Sequence, residues 1–142
     1  MTTVETAERK GQLRAMIFYL LAAGLIAALW FSFDAPETGP KQAVWVALAT
    51  ASAMNLAPIL RWLKPYNPVA ALLEDETSRE HRRTATTAGF WSAIGGMALL
   101  LAVTDDHDAA LSGYDAARLI ATVAITAGLV VFATLERRAA RD

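Results

Sequence analysis

Residues 74–83 hold Glu74, Asp75, Glu76, Arg79, Glu80, His81, Arg82 and Arg83 within ten positions. Carboxylates and an imidazole are the usual groups for moving protons, and arginine forks clamp carboxylate or phosphate substrates. A second concentration, Asp105-Asp106-His107-Asp108, has the side-chain types of a metal site. A third feature lies in an otherwise apolar stretch, where Asn55 stands three positions before Pro58. A proline there cannot donate to the carbonyl of Met54, so the helix should kink. The freed oxygen beside the Asn55 amide is the kind of break at which transporters hold ions.

Each chemistry asks for more than residue types. A nucleophile needs a base within reach and a third group that orients the base. Nothing in 74–83 supplies that order, and no glycine loop is present to cradle a phosphate. Adjacent residues in 105–108 point in different directions and lack the regular ligand spacing of a calcium loop. Haem would need histidines inside a helical bundle. His81 and His107, the two histidines of the chain, are expected in loops. With no cysteine, thiol chemistry and disulfides are excluded. A net charge of −1 without a basic stripe speaks against nucleic acid as a partner. No catalytic, cofactor-binding or metal residues are expected, and the chain is not expected to be an enzyme.

The elements that must position these residues are membrane spans. The chain is 55% hydrophobic with a mean hydropathy of +0.33, and its charges fall in clusters. Four stretches, 15–33, 42–60, 84–104 and 119–135, contain no ionisable side chain except Tyr19. A helix crosses the bilayer core with about 20 apolar residues. A soluble bundle would instead carry a charged face on each helix. The expected fold is all-α: a four-helix transmembrane bundle, antiparallel, in one domain. Its spans lie at about 15–33, 42–60, 84–104 and 117–136, with a cytoplasmic loop at 61–83 and periplasmic loops at 34–41 and 105–116. The first apolar run is longer than that of a signal peptide and lacks an A-x-A site, so it is expected to stay as an anchor.

Lys and Arg decide the threading. Arg9, Lys10 and Arg14 precede the first span, Arg61, Lys64, Arg79, Arg82 and Arg83 follow the second, and Arg137, Arg138 and Arg141 follow the fourth. Only Lys41 and Arg118 fall on the other side, which puts both termini and the middle loop in the cytoplasm. Trp30, Trp45, Trp62 and Trp91 lie near span ends, where indoles favour the headgroup region. Ser112-Gly113-Tyr114-Asp115 reads as a helix start. Close packing is expected at small residues: Gly24 and Ala28; Ala49, Ala53 and Ala57; Ala88, Ser92 and Gly96; Ala124 and Gly128.

On this frame residues 74–83 become the foot of the third span. Thr77-Ser78-Arg79-Glu80 has capping-box spacing. A helix from there to residue 104 outreaches the hydrocarbon core and projects its first turns into the cytoplasm. Glu76 pairs with Arg79 and Glu80 with Arg83 at three-residue spacing, and Arg79, Arg82 and Arg83 suit anionic headgroups.

Glu74-Asp75-Glu76-Thr77, then Arg82-Arg83 with Ala85, then Gly89-Phe90-Trp91, resembles the loop-to-helix segment of small uncharacterised four-span inner-membrane proteins of Gram-negative bacteria. The resemblance covers about twenty residues and lacks the Leu of a D-E-L-T sequence. It implies a bacterial inner-membrane location and no known activity, so no functional residues carry over. The preferred expectation is a non-enzymatic scaffold or regulatory subunit, with Glu76, Arg79, Glu80, Arg82 and Arg83 facing lipid or a cytoplasmic protein. Two alternatives stay open. One is an oligomeric channel or transporter using the Asn55–Pro58 break. The other is an accessory subunit of a respiratory or photosynthetic complex. The partners of these readings are the lipid bilayer, a homo-oligomer or a larger membrane complex.

Overall fold

The computed structural model describes residues 3–32, 39–56, 76–103 and 111–139, with side chains from residue 12 in the first of these segments and from residue 78 in the third. All four segments are helical: α1 (Thr3–Ser32), α2 (Pro40–Leu56), α3 (Glu76–Val103) and α4 (Gly113–Ala139). Three carry stretches long and apolar enough to cross a membrane: Gln12–Ser32, Ser78–Val103 and Gly113–Ala139. The described part of α2 has 17 residues, about 26 Å of helix against a core of roughly 30 Å.

Local sequence explains the starts. Pro40 opens α2, where its missing N–H costs nothing. The Gly39 carbonyl accepts from the amides of Gln42 (3.0 Å) and Ala43 (3.3 Å). At α4, Ser112 Oγ accepts from the Asp115 amide (3.1 Å) and donates to Asp115 Oδ2 (2.7 Å), a reciprocal cap on the expected S-x-x-D residues. α3 begins at Glu76, so the expected foot is helical, and His81 lies on that helix and not in a loop.

The fourth helix is the hub. It packs against α1, α2 and α3, whereas α1 and α3 do not meet among the described residues. Two apolar groups line its buried stripe. Ala15, Phe18, Ala22, Leu56, Ala85, Leu129, Phe132 and Ala133 form one. Leu25, Trp45 and Ala49 form the other. The buried positions of α1, Ala15, Phe18, Ala22 and Leu25, recur at three- and four-residue spacing and face α4 along one side. Phe18 and Phe132 stack at 4.7 Å between ring centroids, and the Tyr19 hydroxyl meets Thr134 Oγ1 at 2.9 Å.

Small residues set the closest approach, but not all on the expected faces. Ala124 and Gly128 do receive a neighbour. The residues that approach them are Ala85 and Gly89, one face round from the expected Ala88, Ser92 and Gly96. A Cβ on Gly89 would lie 2.8 Å from the Ala124 carbonyl oxygen, and one on Gly128 would lie 3.3 Å from the Ala85 oxygen. Gly96 is looser, with Val123 Cγ1 at 3.9 Å, and Gly24 has open space around it. Ala49 is buried but Ala53 is exposed, and Ala57 lies outside the described residues. A helix chooses its contact face by rotation about its axis. Several small-residue rows can compete for that role in an alanine-rich span.

Gly89→Ala should therefore push α3 from α4 and destabilise the fold by about 1–3 kcal/mol, the usual cost of overpacking. Gly24→Ala should be neutral or stabilising. Thermal or denaturant unfolding of the two variants in the same detergent checks this, and equal stability would refute the close approach.

Candidate functional site

The foot of α3 and the last turns of α4 meet at one end of the helices. Ser78 Oγ donates to Glu136 Oε1 at 3.4 Å, and His81 Nδ1 lies 3.5 Å from the same oxygen. The imidazole and the carboxylate are 14% and 11% exposed. At that distance the His–Glu contact is not a hydrogen bond. Serine, histidine and glutamate together suggest nucleophilic chemistry, but their order is wrong for it. A triad puts the hydroxyl on the imidazole and the imidazole on the carboxylate. Here hydroxyl and imidazole both turn to the carboxylate, which ties two helices together.

The five candidate residues of the foot are not equivalent. Arg79, Glu80 and Arg83 are exposed, and Arg82 is partly buried. Glu76 is the first residue of the helix, and its side chain is outside the description. The expected Glu80–Arg83 pair is absent among the described ion pairs. Exposed pairs gain little against side-chain entropy, so both ends stay in solvent. Thr86 bonds back to the carbonyls of Arg82 (3.0 Å) and Arg83 (2.9 Å), which satisfies its hydroxyl within the helix.

The helix break is only partly visible. Asn55 is exposed and donates to Ala51 O of its own helix at 2.8 Å. Among the described residues it reaches no neighbouring helix. Pro58 lies outside the described residues, as do Asp105, Asp106, His107, Asp108 and Trp62.

Among the described residues the most buried charge belongs to a residue that the sequence counts only as a cation of the outer side. Arg118 is 4% exposed, one and a half turns into α4. Its guanidinium donates from both terminal nitrogens to Ser32 O (3.3 Å each) and also to Ser32 Oγ. Asp115, one turn earlier, supplies a counter-charge at 3.5 Å. Two aromatic faces close around it, with Tyr114 at 5.3 Å and Trp45 at 5.4 Å from ring centroid to guanidinium carbon. A planar, weakly hydrated cation suits such a sandwich better than an ammonium. Trp45 in turn donates its indole N–H to Thr122 Oγ1 at 3.0 Å. It is thus a buried packing residue and not the expected interfacial anchor, whereas Trp30 and Trp91 are exposed. One arginine joins the end of α1, the start of α2 and the start of α4. The signal was available: Ser112, Asp115 and Arg118 follow at three-residue spacing, with a tryptophan opening α2.

No protein-family model matches the chain, and neither a curated protein nor a solved structure was found to be similar to it.

Arg118→Gln should cost about 1.5–3 kcal/mol, the scale of hydrogen bonds to a charged group. Trp45→Phe should cost about 1 kcal/mol through Thr122. Denaturant titration in detergent measures both. A neutral Arg118→Gln would mean that the guanidinium cluster does not hold the helix ends.

Proposed function

We propose that the chain is a multi-pass protein of the bacterial inner membrane that acts without catalysis, as a scaffold or regulatory subunit. Its four helices alternate in direction, with both termini and the residues between α2 and α3 in the cytoplasm. The foot of α3 meets a cytoplasmic partner. One observation carries the reading: Arg79, Glu80 and Arg83 are exposed on a helix whose other side is held to α4 through Ser78, His81 and Glu136. A charged surface fixed in place in this way loses little freedom on binding.

The threading is supported by the distribution of cations, eleven of thirteen on one side. Contacts between helix ends support it too. Tyr19 of α1 pairs with Thr134 of α4, and Ser32 pairs with Arg118, as two helices of opposite direction would. Ser78 beside Glu136 and Gly89 beside Ala124 fit the same relation for α3 and α4. The resemblance of residues 74–91 to bacterial inner-membrane proteins supports the location.

Reporter fusions after Asp142 and within 67–76 should read as cytoplasmic, and fusions within 104–112 as periplasmic. A periplasmic signal at the C-terminus would reverse the threading. For the docking surface, Arg79→Lys with Arg83→Lys keeps the charge but removes the bidentate fork. Recovery of the partner in a mild-detergent pulldown should fall while membrane abundance stays constant. Unchanged recovery overturns the docking reading, and recovery of nothing but further copies of the chain turns it toward a pore.

A further inference from the structure

We infer that the groove between α1 and the end of α4 is a binding site for one anionic phospholipid of the cytoplasmic leaflet. The inference rests on the threading proposed above. The groove has a volume of about 440 Å³ and is lined by Gln12, Ala15, Met16, Tyr19, Leu20 and Arg137. That volume falls within the roughly 300–1,000 Å³ of small-molecule sites.

Its polarity is graded along the helices. Gln12 and Arg137 stand at the terminal end, while Met16 and Leu20 continue the wall toward the middle of the span. From Gln12 to Leu20 is about 12 Å at 1.5 Å per residue. A headgroup phosphate at the Arg137 guanidinium would thus let the upper part of an acyl chain run along Met16 and Leu20. Ala15, nearly fully buried, forms the floor. The Tyr19 ring forms a wall whose hydroxyl is already engaged by Thr134, so it offers the groove a face and not a polar group.

Charge selects the occupant. Among the described residues the lining contains one cation and no acid. Glu136, the neighbour of Arg137, is turned to Ser78 and His81 on the α3 side. Arg14, at the same end, stacks 5.1 Å from the Phe132 ring and is not part of the lining, so Arg137 is the cation of the groove among the described residues. Basic pockets between spans on the cytoplasmic side are suited to anionic headgroups. A zwitterionic lipid carries no net charge and gains less from Arg137.

The test uses the full chain in phosphatidylcholine vesicles containing a minor fraction of a phosphatidylglycerol probe with a photoactivatable acyl chain. The same probe on phosphatidylcholine serves as control, and labelled residues are mapped by mass spectrometry. Both probes should label exposed Leu99 and Leu101 of α3, which reports insertion. Only the anionic probe should label Met16 and Leu20 strongly. Arg137→Gln should lower that yield about fivefold, since one basic residue near anionic lipid is worth ~1 kcal/mol. Arg137→Lys and Arg138→Gln should leave it intact. Equal labelling of Met16 and Leu20 by both probes, unaffected by Arg137→Gln, would reduce the groove to ordinary lipid contact and overturn the inference while the membrane reading stands. Protection of the groove from both probes, with α3 still labelled, would mean that a second copy covers it and equally overturns it. Competition by soluble glycerol phosphate would make it a free-anion site, against the inference. Absence of label on α3 would remove the membrane reading and the inference with it.

Discussion

The close approach of α3 to α4 at Gly89 is the contact on which the rest of the arrangement depends. Hydrophobic segregation cannot join helices in lipid, so they are held by van der Waals contact and by polar groups they share. Gly89 allows its backbone to come against the Ala124 carbonyl, and Gly128 allows Leu56 and Ala85 to close over the same stretch. This nearness brings Ser78 and His81 within reach of Glu136. The charged foot is therefore oriented by a glycine more than two turns away.

Arg118 does at the opposite end what the glycines do in the middle, by other means. A guanidinium with few waters must spend its donors and its planar faces on protein. Here Ser32, Asp115, Tyr114 and Trp45 take them. Ser32 and Trp45 are far from Arg118 in sequence, so the cluster fixes the height of α1 and α2 against α4. Slippage of α1 against α4 by one turn would leave a buried charge without its carbonyl.

Much of this was legible in the chain and some was not. Segment lengths and the lack of charge within them gave four helices, and the capping pattern gave the start of α4 at Ser112. The helical foot around Arg79 to Arg83 followed from span length. What escaped were properties of rotation and depth. Whether Ala85–Gly89 or Ala88–Ser92–Gly96 faces a neighbour depends on how α3 is turned, and rows of small residues occur on both faces. Arg118 lies at the edge of an apolar run and enters the sequence reading only through the count of cations by side, which carries no information on burial. Trp45 at a span end resembles an anchor until its indole partner, Thr122, is seen 77 positions away.

The hub position of α4 has a consequence for biogenesis. Chains leave the ribosome N-terminus first, so α1, α2 and α3 are made before the helix that joins them. Until α4 arrives, α1 and α2 can form their own pair. α3 has no contact with α1 and only a sparse one with α2 among the described residues. Until α4 follows, the Gly89 surface of α3 lacks the helix that it packs against. Assembly is thus a late closing step. An insertion chaperone or a neighbouring subunit that shelters α3 during this interval would govern the yield of the folded protein without altering its final stability.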